Sequence, residues 1–177
     1  EFLRAVPALD VLYVPIGLGS GACAALAAKQ ALGHAVKVVG VVSAHATTYA
    51  DSVAAGCVVE APVSTTLADG MAVRRADPQA LAILQAGLDR VVQVNDAQVA
   101  QAMRDLYTDT HNLAEGAGAA SFAAAWADKD QLKGLPSKTI HSGVVQPAGS
   151  LLMHAPQLSR GMKGAQLQAY DALLSDY

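Results

Sequence analysis

Between Asp10 and Lys29 the sequence reads DVLYVPIGLGSGACAALAAK. An unbroken apolar run from Val11 to Ile16 gives way to Gly17, Gly19 and Gly21, and these to an alanine-rich stretch. This order predicts a strand buried on both faces, a tight turn and the opening turns of a helix. A strand buried on both faces needs a layer on each side, which restricts the chain to layered α/β architectures. The turn also aims several backbone N–H groups at one spot, at the positive end of a helix dipole, and such a spot binds phosphate.

The remaining pattern extends that unit. A helix from about Gly21 to Leu32 closes at Gly33, and Val36 to Ser43 (VKVVGVVS) is a second buried strand. Thr47 to Ala55 reads as a helix ended by Gly56, and Cys57 to Glu60 as a short strand. After an irregular stretch from Pro62 to Gly70, Met71 to Arg74 reads as helical. Asp77 and Pro78 form an N-cap and first position for a helix to about Gly87. Arg90 to Val94 is a strand, and Asn95 with Gln98 makes a capping-box pair for a helix carrying Val99, Met103 and Leu106 on one stripe. Thr108 to Leu113 reads as a polar loop, Ala114 to about Leu132 as an alanine-rich helix, and Thr139 to Ser142 as a last short strand. Strands that alternate with helices argue for a parallel, doubly wound sheet. From Gly143 the character changes: residues 144–150 and 159–164 read as turns, and only Ala165 to Leu174 as a helix. Two units are therefore expected, a ligand-binding α/β domain over 1–142 and a divergent tail over 143–177.

The chain has 177 residues, 53% of them hydrophobic and 15% charged, which is enough for one domain with a real core. Its formal net charge of -3 offers no basic face for nucleic acid. No apolar run is long enough to span a bilayer, and Glu1-Phe2-Leu3-Arg4 does not read as a signal peptide. Cys23 and Cys57 read as small hydrophobes in a reducing compartment, and no Cys/His cluster has metal-ligand spacing. A cytoplasmic protein with no metal site, membrane contact or nucleic-acid partner is the expectation.

Gly17-x-Gly19-x-x-Ala22 also fits the dinucleotide fingerprint, but the second strand ends Val42-Ser43-Ala44-His45 without the acid that would hold ribose hydroxyls. NAD therefore ranks below a simple phosphate cradle. Gly134-Leu135-Pro136-Ser137-Lys138-Thr139 has the Lys-Thr of a P-loop but lacks its glycines, and reads as a turn. Asp69 in Thr66-Leu67-Ala68-Asp69-Gly70 serves either a ligand loop or an Asx-turn before Gly70. The Thr108 to Asn112 cluster reads as loop and N-cap chemistry. Gly116 and Gly118, in Glu115-Gly116-Ala117-Gly118-Ala119-Ala120, each cost a helix about 1 kcal/mol relative to alanine. Close approach of a flat ligand or a neighbouring helix would explain them. His34 and His154 read as surface or packing residues, whereas His45 and His141 follow strand-like runs without an acid partner.

Three of these segments, Val14-Pro15-Ile16-Gly17-Leu18-Gly19-Ser20-Gly21, Thr66-Leu67-Ala68-Asp69-Gly70 and Ala114-Glu115-Gly116-Ala117-Gly118-Ala119-Ala120, stand in an order that resembles the threonine dehydratase / serine racemase group of pyridoxal-phosphate enzymes. The resemblance covers roughly Leu3 to Ser142. It implies the large-domain part of the tryptophan synthase β-like fold, incomplete here. It further implies that Gly17, Leu18, Gly19, Ser20 and Gly21 hold the phosphate of pyridoxal 5′-phosphate, that Glu115 lies beside the cofactor ring, and that Ser142 hydrogen-bonds the pyridine nitrogen. A neutral hydroxyl there makes the ring a milder electron sink, which suits loss of a β-hydroxyl over transamination. The implied reaction is β-elimination of a hydroxy amino acid to a 2-oxo acid and ammonia, with serine racemase-like or 3-hydroxyaspartate dehydratase-like activity as alternatives. A homo-oligomer is implied for the full-length form.

The chain departs from the group in two places. The Schiff-base lysine belongs to a Ser-Phe-Lys-x-Arg-Gly-like motif well before the glycine turn, and Lys29, Lys37, Lys129, Lys133, Lys138 and Lys163 sit in no such motif. No catalytic residue is therefore assigned within the chain. Where the group reads Ser-Gly-Gly-Asn, this chain reads Ser142-Gly143-Val144-Val145. The abrupt start and this tail lead us to expect the C-terminal part of a dehydratase, inactive alone. A non-catalytic module that kept only the phosphate cradle is the competing reading.

Overall fold

The structure, a computed structural model, describes residues 2–132 and the backbone of 141–146 and 149–152. The strands are β1 (Val11–Pro15), β2 (Lys37–Ser43), β3 (Arg90–Val94), β4 (His141–Gln146) and β5 (Gly149–Leu152). They form one sheet in the order β3-β2-β1-β4-β5. The first four run parallel, with Tyr13 of β1 opposite Val39 of β2 and Ser142 of β4, and β5 returns antiparallel beside β4.

Alternation along the central strands divides the core in two. Val11 and Tyr13 of β1 and Val39 and Val41 of β2 face α5 (Asp96–Thr110) and α6 (Gly116–Ala127). Leu12 and Val14 of β1 and Val38 and Val42 of β2 face the opposite way, with buried side chains of α2 (Ser20–Leu32), α3 (Thr48–Ala55) and α4 (Pro78–Gly87). Helices thus cover both faces, the doubly wound arrangement expected from the sequence, and α1 (Phe2–Ala5) and α7 (Lys129–Leu132) are single turns at its margins. Alanines dominate the inward surface of α6, where Ala117, Ala119, Ala120, Ala123 and Ala124 are buried.

Helix ends follow their local signals. Gly33 closes α2 in the left-handed region, the Asp77 side chain accepts from the Ala80 N–H at 2.8 Å, and Asn95 and Gln98 form a reciprocal capping box. Four expectations need correction. Residues 57–60 do not form a strand, and only Glu60 bridges to Arg75. The Ser52 hydroxyl accepts from the Val59 N–H at 2.9 Å and donates to the Val59 carbonyl at 3.3 Å, so a side chain occupies the groups a ladder would use. The expected helix over 71–74 is a 3-10 turn over Asp69–Met71. The expected loop at 108–110 is the last turn of α5: the Thr110 hydroxyl donates to the Leu106 carbonyl at 2.5 Å, and His111 caps the helix at φ 55°. The expected helix over 114–132 starts at Gly116 and breaks at Asp128.

The segment after Gly143 also differs from the expected turn. β4 continues to Gln146 and pairs with β5, as the β-branched Val144 and Val145 favour. The P-loop-like segment 134–139, His154 and the expected turn and helix beyond 158 lie outside the described residues.

Toward the amino end of β3 three elements are tied together by side chains. Tyr13 donates to Asp128 Oδ2 at 2.8 Å, and the Arg90 guanidinium binds the same oxygen and lies 3.4 Å from the phenol. Burial first, then the Asp128 hydrogen bond and charge, push the Tyr13 phenol up to about 12.

Candidate functional site

In a doubly wound sheet the ligand crevice opens at the carboxyl ends of the strands, where the winding reverses. Here β2 and β3 lie to one side of β1 and β4 to the other, so the reversal falls between β1 and β4. The glycine turn follows β1 at that point. The Ile16 N–H still pairs with the Val41 carbonyl at 2.8 Å, and the chain leaves the sheet at Gly17.

The turn delivers an uncapped helix. The first intrahelical bond of α2 runs from the Cys23 N–H to the Gly19 carbonyl at 2.9 Å, so the amides of Ser20, Gly21 and Ala22 precede it without intrahelical acceptors. No side chain caps this end, in contrast to α4 and α5. Gly19 adopts φ 96°, which an L side chain rarely tolerates. The exposed Ser20 and Leu18 flank the turn, and Leu18 keeps 68% of its surface open.

The Gly70 segment meets this turn through backbone, and the start of α6 meets the Gly70 segment. A Cβ at Gly17 would overlap the Gly70 carbonyl oxygen, a Cβ at Gly70 would come within 3.1 Å of the Ala117 Cβ, and a Cβ at Gly116 would overlap the Leu67 carbonyl oxygen. The segment from Leu67 to Gly70 thereby touches both the glycine turn and the start of α6, although the sequence separates the three widely. The close approach expected at Gly116 is made not by a helix but by the Leu67 carbonyl of the irregular stretch before the 3-10 turn. Glu115 is the N-cap residue of α6, half-buried, and its side chain makes no capping bond. Ser142 lies in β4 opposite Tyr13, a strand away from the residues leading into the turn.

Other candidate residues serve the frame. Asp69 Oδ1 accepts from the Gly70 N–H at 2.9 Å, one residue on rather than the two of an Asx-turn, so the side chain braces its own loop in a tighter form than expected. His34 accepts from the Val36 N–H at 3.0 Å and packs near the Val6 carbonyl. His45 is exposed, and its carbonyl takes the Ser64 N–H at 2.8 Å.

Sequence reasoning passed over Asp96, whose carboxylate accepts from the Thr65 hydroxyl at 2.8 Å, the Thr66 N–H at 2.8 Å and the Thr66 hydroxyl at 3.0 Å. Burial pushes this carboxyl up, but the hydrogen bonds from Thr66 and Thr65 outweigh it and hold the group below its ordinary value. Asp96 so pins the segment that leads to Gly70. Its one outward signal, an acid at the first position of a helix, was absorbed by the capping box around it. Tyr49 was also passed over. It donates to the Leu18 carbonyl at 2.7 Å and accepts from the Asp77 N–H at 3.1 Å, and burial pushes its phenol up, so it remains a donor.

A sheet wound this way, with an uncapped helix start behind a glycine turn at the reversal, defines a class: α/β proteins that hold a phosphorylated ligand on backbone amides. Comparison with known proteins narrows the class. The family model described as "Pyridoxal-phosphate dependent enzyme" matches residues 1–143. The L-threonine ammonia-lyase of Geobacter sulfurreducens is 37% identical over 125 residues, which cover 70% of this chain and 31% of that protein. Among solved structures, the processed form of threonine deaminase isoform 2 from Solanum lycopersicum matches with a TM-score of 0.70 at 25% identity, over 75% of this chain and 38% of that one. Maize serine racemase matches with a TM-score of 0.69 at 26% identity, over 78% and 42%. The chain thus spans less than half the length of each. It belongs to the family of pyridoxal-phosphate dependent enzymes, with the tryptophan synthase β-like fold. The family's cofactor, pyridoxal 5′-phosphate, is compatible with the free amides and absent side chains of the α2 start.

Proposed function

We propose that this chain forms the phosphate- and ring-binding part of a lyase that removes the β-hydroxyl of a hydroxy amino acid, releasing a 2-oxo acid and ammonia. The observation that carries the reading is the backbone contact among the glycine turn, the Gly70 turn and the start of α6, at the reversal of the sheet. The relatives named threonine ammonia-lyase and threonine deaminase favour threonine over serine or 3-hydroxyaspartate as substrate.

In this reading the amides following Gly17, with Leu18, Gly19, Ser20 and Gly21, bind the phosphate dianion at the positive end of α2. Glu115, whose side chain makes no capping bond, would supply an acid beside the ring. Ser142, which the family resemblance assigns to the pyridine nitrogen, would offer it a neutral hydroxyl and so leave it without a formal positive charge. When bound, the cofactor supplies an electron sink for the carbon that loses its proton. The chain's own contribution is to bind and orient.

The proton-transfer lysine is assigned outside these residues. Lys37 opens β2, at the end of the sheet remote from the turn, Lys29 lies in the last turn of α2, and Lys129 is exposed on α7. For the lysines among the described residues, this placement supports a second proposal, that the 177 residues alone bind cofactor without turnover. Titration of the chain with pyridoxal phosphate should perturb the amides of Gly19 to Gly21, and borohydride reduction should leave no single stoichiometric pyridoxyl-lysine. A unique pyridoxyl-lysine would refute the assignment of the lysine. A longer protein carrying this sequence should release ammonia faster from threonine than from serine or 3-hydroxyaspartate, and the reverse order would reassign the substrate.

A further inference from the structure

Tyr49 lies on α3, outside every segment that carries the family resemblance, and is 2% exposed. Its hydroxyl donates to the Leu18 carbonyl at 2.7 Å and accepts from the Asp77 N–H at 3.1 Å. The same oxygen lies 3.2 Å from where a Cβ on Gly19 would sit. A trans peptide unit carries its C=O and N–H in opposite directions. Drawing the Leu18 carbonyl inward onto Tyr49 therefore turns the Gly19 N–H outward. The next unit has its own anchor, because the Gly19 carbonyl accepts from the Cys23 N–H at 2.9 Å, which turns the Ser20 N–H out of the helix end. The φ of 96° at Gly19 is the joint between these two planes. A glycine joint also makes reversal of the Leu18–Gly19 plane cheap unless something holds it.

We propose that Tyr49 is the positioning residue of the phosphate site: its hydroxyl fixes the Leu18–Gly19 peptide plane so that the Gly19 N–H faces the phosphoryl group. The proposal rests on the phosphate reading of this turn and names the side chain that enforces it. Tyr49 touches no ligand in this scheme. It acts through one carbonyl, and its second bond, to the N-cap residue of α4, ties the turn to the neighbouring helix start.

The test is amide NMR of the 177-residue chain titrated with inorganic phosphate, and separately with pyridoxal phosphate and pyridoxal. In the wild type the Gly19, Ser20 and Gly21 amides are expected to shift with phosphate. Tyr49→Phe keeps the ring and removes both bonds of the hydroxyl; loss of the one to Leu18 should weaken phosphate by about fivefold to tenfold, with the Gly19 response lost first. Pyridoxal, which lacks the phosphoryl group, should bind both chains equally. Ser52→Ala is the control: it removes two bonds to Val59 from the same helix and should lower stability while leaving phosphate affinity unchanged.

Unchanged phosphate affinity and an unchanged Gly19 shift in Tyr49→Phe would overturn the positioning role while leaving the phosphate site standing. An equal loss in Ser52→Ala would overturn it as general loosening. No response of these amides in the wild type would overturn the site and the role together. If Tyr49→Phe does not fold, 3-fluorotyrosine placed at 49 alone provides a stronger donor. Affinity at least equal to wild type is then expected, and weakened affinity would overturn the role.

Discussion

Deprotonation of the Tyr13 phenol should lower stability between pH 10 and 12. Tyr13 is 0% exposed, donates to Asp128 and lies beside Arg90. Burial, followed by the hydrogen bond and charge of Asp128, moves it from 10.0 to about 12, against the pull of Arg90. In that window the folded chain keeps a proton that the unfolded chain has lost. The stabilisation is therefore complete below pH 10 and disappears as the pH rises through the folded value. Two pKa units correspond to about 2.7 kcal/mol in all, of which about 1.4 kcal/mol is lost by pH 11. Tyr13→Phe removes the titrating group and one hydrogen bond, while Arg90 still holds Asp128. It should cost about 1 to 1.5 kcal/mol at neutral pH. The stability curves of the two chains should then cross near about pH 11. Urea unfolding of both chains at stepped pH reads this directly, since every other titration cancels in the difference. A difference that stays constant from pH 8 to 11.5 would show that the Tyr13 phenol is not held as described.

The folded Asp96 carboxyl sits below its ordinary value near 3.8, so its contribution is present above that pH and fades as the pH falls through the lower folded value. Asp96→Asn should cost about 1 to 2 kcal/mol at pH 7, and the gap should narrow below pH 4. A gap unchanged at pH 3 would remove the charge from the explanation. Gly116→Ala, at the first position of α6, gains less than the about 1 kcal/mol of an interior helix site and drives a methyl into the Leu67 carbonyl, a clash costing about 1 to 3 kcal/mol. Net destabilisation in urea is expected, and a more stable variant would show that the contact yields. Asp77→Ala removes a side-chain cap and should lower stability by about 1 kcal/mol, read by the same unfolding curves. Pyridoxal phosphate at about a hundred times its dissociation constant should raise stability by about 2.7 kcal/mol, and an equal effect from pyridoxal would deny the phosphate its role.

What could be read from the sequence was local. The apolar runs of β1 and β2 announce burial on both faces, and Asp77-Pro78, Asn95 with Gln98, and Gly33 mark helix ends by chemistry within a few residues. What could not be read depends on partners far along the chain. Val58 and Val59 look like a strand because nothing nearby shows that Ser52 takes the backbone groups of Val59. The bond between Tyr13 and Asp128 spans 115 positions, and no periodicity encodes it. The site divides the same way. The glycines at 17, 70 and 116 stand out in the sequence, but the identity of what presses against each appears only when the chain is folded.

The two ends of the sheet are built by opposite means. One end is closed by a charged side-chain cluster, Tyr13, Asp128 and Arg90. The other brings carbonyls against glycines and leaves helix amides uncapped. At Gly17 and Gly116 carbonyls of the Gly70 segment sit where a Cβ would go, so no side chain stands between these backbones at the end of the sheet where the phosphorylated ligand is proposed. Backbone has a weakness as building material: a peptide plane can reverse without any change of sequence. Its orientation must be imposed by side chains standing behind it. Tyr49 does this for the Leu18 carbonyl, and Asp96 does it for the Thr66 amide. Sensitivity to substitution should therefore extend to these two residues, outside the glycine-bearing segments and out of reach of the ligand.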